Sequence, residues 1–194
     1  MKIFPFAISC WLKRTAGGLV VAALVIGGYL GYLQLSGNFH PVIDGQVYRS
    51  AQPNGDAVAL YAQEHGIRSI INLRGPNSGK DWYEEEVAAA NAAGLAHYDF
   101  AMSASKELSQ NRAAELVALM KQAEKPVLIH CQAGSDRSGL AAALYVAAIA
   151  KGGEQAAENQ ISLRYGHISL PMTAAYPMDL SFESLEPWLG LPDS

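Results

Sequence analysis

Cysteine is scarce in this chain, whose 194 residues include two, Cys10 and Cys131. A long apolar run without charge separates them, and if that run crosses a bilayer the two thiols lie on opposite sides of the membrane. A disulfide framework is therefore excluded for the folded part of the chain. Cys131 remains as its single thiol, closely following the apolar run Pro126–Ile129.

Basic residues are few and unevenly placed. Lys2, Lys13 and Arg14 precede the apolar run, which leaves 11 of the 14 Lys and Arg residues against all 18 Asp and Glu, a formal net charge of −7. This charge does not suit a nucleic-acid partner or a highly phosphorylated polyanion. The histidines lack the spacing of metal ligands, so we predict no metal and no organic cofactor.

Charge is absent from Thr15 to Leu35, a run of 21 residues that is long enough to cross a bilayer as a helix. We interpret it as an uncleaved membrane anchor. A cleaved signal peptide is the alternative, but the run is longer than usual for one and residues 34–37 offer no convincing small-x-small cleavage site. Basic residues precede the run and none follows until Arg49, so the N-terminus should be cytoplasmic and the rest of the chain extracytoplasmic, in the periplasm of a Gram-negative source.

The chain divides into a cytoplasmic tail at residues 1–14, the anchor at 15–35, a linker at 36–43 and one folded domain at 44–194. Apolar, β-branched runs alternate with amphipathic ones in that domain, which predicts a mainly parallel sheet covered by helices on both faces, an α/β fold. Ligands of such sheets bind beyond the carboxyl ends of the strands. The predicted strands are 46–49, 67–73, 95–100 and 126–130, and the predicted helices are about 53–65, 82–93, 108–123, 138–150 and 154–165.

The residues after the fourth strand carry the candidate chemistry. Successive backbone N–H groups between that strand and the next helix can form a nest for an anion, and the same field favours the thiolate form of Cys131. Arg137 supplies a planar cation that fits two phosphate oxygens, and Gly134 permits a tight bend. These parts suit attack of sulfur on a phosphate ester. The alternative, an inert buried cysteine, does not explain the spacing of Gly134, Arg137 and Ser138.

The run His130-Cys131-x-x-Gly134-x-x-Arg137-Ser138 resembles the phosphate-binding loop of the cysteine-dependent protein tyrosine phosphatase superfamily, in its dual-specificity-like branch. Weaker likenesses at Tyr48–Pro53 and Asn72–Gly75 extend the resemblance over residues 41 to about 170. The resemblance implies that Cys131 is the nucleophile, that Arg137 binds the phosphoryl group, that Ser138 assists departure of the thiolate and that His130 orients the loop. It implies a phosphate cradle formed by Gln132, Ala133, Gly134, Ser135, Asp136 and Arg137.

The general acid is less clearly indicated. The superfamily normally supplies an aspartate roughly 30 residues before the cysteine, and Asp99 has this spacing. The segment that follows it, however, has no carboxylate until Glu107. Asp136, inside the loop, is the alternative and is placed as in myotubularin-type phosphatases. A third interpretation makes Asp136 a structural acceptor of backbone N–H bonds.

The resemblance implies a phosphatase that acts on phosphotyrosine or phosphoserine/threonine proteins, or on small phosphomonoesters. Two alternatives stay open: an inactive module that binds phosphate without turnover, and a rhodanese-type sulfurtransferase. Arg49, Arg74 and the acidic run Glu84–Glu86 are expected to be exposed to solvent, although the two arginines could border the pocket.

Overall fold

The structure, a computed structural model, describes residues 5–191, with side chains from residue 15 onward. Residues 1–4 of the predicted tail and residues 192–194 of the predicted domain lie outside this range. The first element is a helix of 31 residues, α1 (Pro5–Leu35), so most of the predicted tail is helical. Its charge-free part, Thr15–Leu35, is the only helix in the described chain that is long and apolar enough to cross a membrane.

A mainly parallel sheet of five strands lies at the centre of the domain, which confirms the predicted fold class. The order across the sheet is β1-β2-β5-β3-β4, and only β1 is antiparallel to its neighbour. The first strand was not predicted: its residues were assigned to the linker. Its edge position and its proline at position 41 weaken the strand pattern in the sequence. The strands are β1 (His40–Ile43), β2 (Val47–Ser50), β3 (Ser69–Asn72), β4 (Ala96–Asp99) and β5 (Val127–His130).

Two layers of helices cover the sheet. Residues of β3 and β5 alternate between its faces, so Ile70 and Leu128 pack on the side of α2 and α3, whereas Ile71 and Ile129 pack on the side of α4, α5 and α7. The helices are α2 (Gly55–His65), α3 (Asp81–Ala92), α4 (Gln110–Gln122), α5 (Asp136–Leu144), α6 (Glu154–Glu158) and α7 (Pro177–Leu189).

The C-terminal third departs most from the predicted elements. The helix predicted at 138–150 is α5 followed by a π-helical turn at Tyr145–Ala150, and the helix predicted at 154–165 ends at Glu158. A 3-10 turn follows at Leu163–Tyr165, and α7 was not predicted. The break after α6 frees the carbonyl oxygen of Gln160 for a bond from the buried Arg49.

Helix α1 is joined to the domain without a free linker. Leu33 in its last turn is 2% exposed, and Asn38 is fully buried. The backbone N–H of Ala51 donates to the carbonyl oxygen of Gly37 at 2.8 Å, which ties the segment after α1 to the end of β2. The residues predicted as a linker therefore form part of the folded domain.

Candidate active site

Cys131 lies directly beyond the carboxyl end of β5, the central strand, and is 2% exposed. Its Sγ is 3.5 Å from Oγ of Ser138, a buried residue in the first turn of α5. The structure thus brings together the candidate nucleophile and the candidate hydroxyl that the sequence places seven residues apart. The turn between them is named the 131–137 loop below.

Four consecutive carbonyl groups of the 131–137 loop accept hydrogen bonds from outside the loop. A peptide carbonyl and the following N–H point in opposite directions, so these bonds turn the N–H groups of residues 133 to 136 toward the other side of the loop. That side can hold an anion. The bonds are Gln52 N to Gln132 O at 3.2 Å, Asn38 Nδ2 and Gln34 Nε2 to Ala133 O at 2.9 and 3.1 Å, and Arg49 Nη2 to Gly134 O and Ser135 O at 3.0 and 2.9 Å.

The sharpest bend of the loop, at Gly134, requires both a positive φ and space for a close approach to the backbone of Ala51. Its φ of 72° lies in the left-handed region, and a Cβ atom there would come within 2.5 Å of the backbone nitrogen of Ala51. Only glycine relieves the φ strain and the collision together.

Arg49 lies beneath the loop instead of in solvent, contrary to the expectation from the sequence. The residue is fully buried, its guanidinium stacks 4.1 Å from the ring centroid of Tyr165, and Nη1 donates to the carbonyl oxygen of Gln160 at 2.6 Å. Burial lowers the pKa of Arg49 to about 10, so the group remains charged at neutral pH. This fixed charge adds to the field that favours an anion above the loop.

Two further guanidinium groups lie at the mouth of the site. Arg137 is half-buried, and its Nη1 donates to the carbonyl oxygen of Met102 at 3.4 Å, whereas its buried Nε has no partner. Arg74 stacks 3.5 Å from the ring centroid of Trp82 and donates to Oε1 of Gln52 at 2.9 Å. Partial burial, followed by the neighbouring charge of Arg137, lowers the pKa of Arg74. Two cations therefore converge where a substrate phosphate would enter.

His130 is held by an acidic residue that the sequence analysis placed on a solvated surface. Glu86 is fully buried, and its Oε1 is 3.0 Å from Nε2 of His130 and 2.7 Å from Nε2 of His97. Gln52 donates to its other oxygen. Burial alone would raise the pKa of Glu86, but the bonds from His130, His97 and Gln52 outweigh it and lower the pKa to about 2. The expectation holds for the exposed Glu84 and is wrong for Glu86.

Asp99 is set apart from the loop. It ends β4, two strands away from β5, and two strand spacings amount to about 10 Å. Both of its carboxylate oxygens are occupied: Nδ2 of Asn72 donates to Oδ1 at 2.8 Å and the hydroxyl of Tyr83 donates to Oδ2 at 2.5 Å. The bond to Asp99 raises the pKa of Tyr83 to about 12.

Asp136 contacts a histidine that the sequence analysis left without a role. Nδ1 of His167 is 2.8 Å from Oδ1 of Asp136, and Nε2 is 2.8 Å from Oδ2 of Asp179 in α7. Burial opposes protonation of His167, but the bonds to both aspartates outweigh it and raise its pKa. No local pattern could have indicated this pair, because its members lie 31 residues apart.

One group of described side chains could hold a metal ion. The carboxylates of Glu154, Glu158 and Glu186 lie within 4.8 Å of one another. They belong to α6 and α7, not to the 131–137 loop.

Comparison with known proteins places these features in a family context. A family model described as the tyrosine phosphatase family matches residues 26–158. The inositol diphosphatase SIW14 of Saccharomyces cerevisiae is 27% identical over 107 residues, which are 53% of this chain but only 36% of that protein. The chain thus matches little more than a third of that relative's length.

Solved structures share the fold. A variant of Pseudomonas aeruginosa TpbA in complex with pTyr superimposes with a TM-score of 0.61 at 22% identity, covering 80% of this chain and 91% of that one. The core catalytic domain of the S. cerevisiae PP-IP phosphatase SIW14, in complex with citrate, gives a TM-score of 0.57 at 19% identity, covering 80% and 94%.

Proposed function

This chain belongs to the tyrosine phosphatase family, and from that premise we propose that it hydrolyses phosphomonoesters through a cysteinyl-phosphate intermediate. The observation that carries the proposal is the 131–137 loop, whose carbonyl groups are held from outside while Cys131 lies at its start. Its inward N–H groups and Arg137 offer donors to the oxygens of a phosphoryl group before any substrate arrives. The rhodanese alternative loses its basis, since the family match is to phosphatases.

The reaction has two steps. Sγ of Cys131 attacks phosphorus, the ester P–O bond breaks, and the leaving oxygen receives a proton from a general acid, while Arg137 and the loop N–H groups bind the phosphoryl oxygens. Water then attacks the cysteinyl phosphate and the S–P bond breaks. The hydroxyl of Ser138, 3.5 Å from Sγ, donates to the departing thiolate.

Asp136 is better placed than Asp99 to pass on a proton, because its carboxylate is bonded to His167, whose pKa is raised and which can supply that proton. Asp99 has both oxygens occupied and lies two strands away. Asp136 adjoins Arg137 in the loop, and among the described residues only His167 bonds to its carboxylate, through Oδ1. Asp136→Asn should therefore slow hydrolysis of an alkyl phosphate more than that of an aryl phosphate with a good leaving group. Equal loss on both substrates would assign Asp136 a structural role instead.

We also propose that α1 is retained as a membrane anchor with the domain on the extracytoplasmic side. Its charge-free side chains from Thr15 to Tyr29 are exposed, and basic residues precede it in the sequence. Removal as a signal sequence would cost the domain the buried contact of Leu33 and the bond from Gln34 to the loop. These contacts favour retention.

Phosphorylated proteins and small phosphomonoesters are the substrate candidates at this level. The TpbA structure contains pTyr, and the curated relative is an inositol diphosphatase. Both relatives handle a phosphoryl group on oxygen, which is the chemistry that the 131–137 loop suits.

The test is phosphate release from a small aryl phosphate by the full chain in detergent under reducing conditions. Cys131→Ser should lower the rate at least about 1,000-fold, and vanadate should inhibit. Cys10→Ser is the matched control and should keep full activity. Vanadate binding without turnover would favour the inactive phosphate-binding module, and persulfide formation with thiosulfate would favour a sulfurtransferase.

A further inference from the structure

The anchor helix and the 131–137 loop are in direct contact. The side-chain amides of Gln34, in the last turn of α1, and of Asn38 both donate to the carbonyl oxygen of Ala133, at 3.1 and 2.9 Å. Leu33, one residue before Gln34, is 2% exposed and comes close to Gly166. The loop is therefore fixed to the end of the helix, and no flexible linker separates the two.

The length of the charge-free run determines where this contact lies along the bilayer normal. The charge-free run begins at Thr15, and 20 helical residues at about 1.5 Å each span the roughly 30 Å of a bilayer's hydrocarbon core. Counted from Thr15, the twentieth residue is Gln34. The headgroup layer on each side is about 5–7 Å thick. Ala133 and the loop therefore lie at the level of lipid headgroups.

An exposed apolar segment lies beside the anchor on the same side. The hydroxyl of Tyr29 donates to the carbonyl oxygen of Arg164 at 2.5 Å, and Leu30 and Leu33 lie near Gly166, so the first part of residues 163–172 contacts α1. Soluble surfaces seldom cluster apolar side chains in this way. The exposed members are Leu163, Ile168, Leu170 (56% exposed) and Met172 (96% exposed).

A cleft lies between the end of α1, the end of β2 and the start of α2. It has a volume of about 330 Å³ and is lined by Gln34 and Leu35 of α1 and by Gln52. The side chain of Gln52 bonds to Arg74 at the mouth of the site. Gln52 therefore lines the cleft beside the anchor and also contacts one of the two guanidinium groups at the mouth of the site.

We propose that residues 163–172 insert into the bilayer surface beside α1 and that the substrate is a phosphomonoester headgroup of a membrane lipid. The inference rests on the proposed phosphatase activity and narrows its substrate class. Arg74 and Arg137 match the two charges of one phosphomonoester. The net charge of −7 offers little attraction to a soluble polyanion, whereas confinement of enzyme and substrate to one surface raises their effective concentration without any long-range attraction.

The experiment uses the full chain in phosphatidylcholine nanodiscs. Phosphatidic acid in the disc, soluble glycerol 3-phosphate, a soluble phosphotyrosyl peptide and a soluble aryl phosphate are compared at equal total concentration by phosphate release. We expect phosphatidic acid to be hydrolysed at least roughly 100-fold faster than glycerol 3-phosphate, which carries the same phosphate on the same alcohol.

The variants separate the membrane contact from the chemistry. Leu170→Glu combined with Met172→Glu should lower turnover of phosphatidic acid about tenfold or more and leave the aryl phosphate rate unchanged, because neither side chain belongs to the site. Trp188→Glu is the matched control: Trp188 is exposed but lies at the far end of α7, and its substitution should change neither rate.

Two results would overturn the inference while the phosphatase proposal stands. One is hydrolysis of aryl phosphate with no advantage for phosphatidic acid over glycerol 3-phosphate. The other is a preference for the phosphotyrosyl peptide over phosphatidic acid, which would point to a phosphoprotein substrate. Failure to hydrolyse aryl phosphate, with Cys131→Ser indistinguishable from the natural chain, would reject both proposals together.

Discussion

At the scale of single residues, the site depends on polar groups buried beneath and behind the loop. Arg49 and Glu86 are both fully buried charges, and each is compensated by several hydrogen bonds. A buried charge lowers the stability of the fold unless such bonds compensate it. Removal of one partner therefore leaves the other charge buried and uncompensated. Substitutions at these positions should therefore affect stability and catalysis together.

Glu86→Gln gives a prediction that depends on pH. The pKa of Glu86 is lowered from 4.5 to about 2, so its ionised form stabilises the fold above pH 4.5, and this contribution is lost as the pH falls toward 2. The variant should have a lower melting temperature at neutral pH, and its difference from the natural chain should shrink in acid. The exposed Glu84→Gln is the control and should show no such convergence. A constant difference at all pH values would contradict the prediction.

Gly134→Ala tests the bend of the loop. The new Cβ would meet the backbone of Ala51 at 2.5 Å in addition to the strain of a positive φ. We expect the unfolding free energy to fall by about 1–3 kcal/mol and kcat/KM for aryl phosphate to fall sharply. Gly66→Ala has a similar φ of 65° but no atom within 4 Å of the added carbon, so it isolates the strain. Equal effects of the two substitutions would show that the collision is relieved.

At the scale of secondary-structure elements, His167 links the start of α5, through Asp136, to the start of α7, through Asp179. The raised pKa of His167 means that this link stabilises the fold fully below its ordinary value of 6.5 and weakens as the pH rises through the raised value. Asp136 and Asp179 are the charged groups that His167 bonds.

His167→Gln should remove this pH dependence and loosen Asp136. We expect the melting temperature of the natural chain to decline above pH 6.5, a decline that the variant should lack. The kcat/KM should fall by up to about 100-fold because the loop is less well positioned. Asp179→Asn, which breaks only the outer bond, should reproduce the stability effect with a smaller loss of rate. Parallel melting profiles for the natural chain and His167→Gln would refute the linkage.

The elements near the site differ in how far the sequence predicts them. The strand, loop and helix around Cys131 follow from a local pattern, and the structure brings Cys131 and Ser138 together as that pattern indicates. Arg49, Glu86 and His167 could not be placed in the same way, because their partners come from distant parts of the chain. Charged residues are usually exposed, so that expectation fails where several such partners meet in the interior.

At the scale of the whole molecule, the end of α1 belongs to the catalytic domain. The contacts of Tyr29, Leu33 and Gln34 with the rest of the fold all lie within residues 29–191, whereas a chain that begins at Gly37 lacks all three residues. The boundary of the folded unit therefore lies inside the helix.

Two truncations test this boundary. A chain of residues 29–194 should keep the melting temperature and aryl phosphatase activity of the full chain. A chain of residues 37–194 should lose about 1.5–3 kcal/mol of unfolding free energy from the buried Leu33 alone, together with the bond from Gln34 to the loop. Thermal and urea unfolding measure the difference. Equal stability of the two truncations would show that the helix end contributes nothing to the domain.

If α1 spans a bilayer as proposed, its direct contact with the 131–137 loop couples the position of the loop to the membrane. Because α1 is bonded to the domain at Gln34, the distance between the domain and the bilayer changes only when the depth or the tilt of α1 changes. In a thinner bilayer the charge-free run becomes too long, and the helix tilts or lifts the domain away from the surface. The rate of hydrolysis of a lipid substrate would then vary with acyl-chain length, so the activity of the protein would depend on the thickness of the membrane.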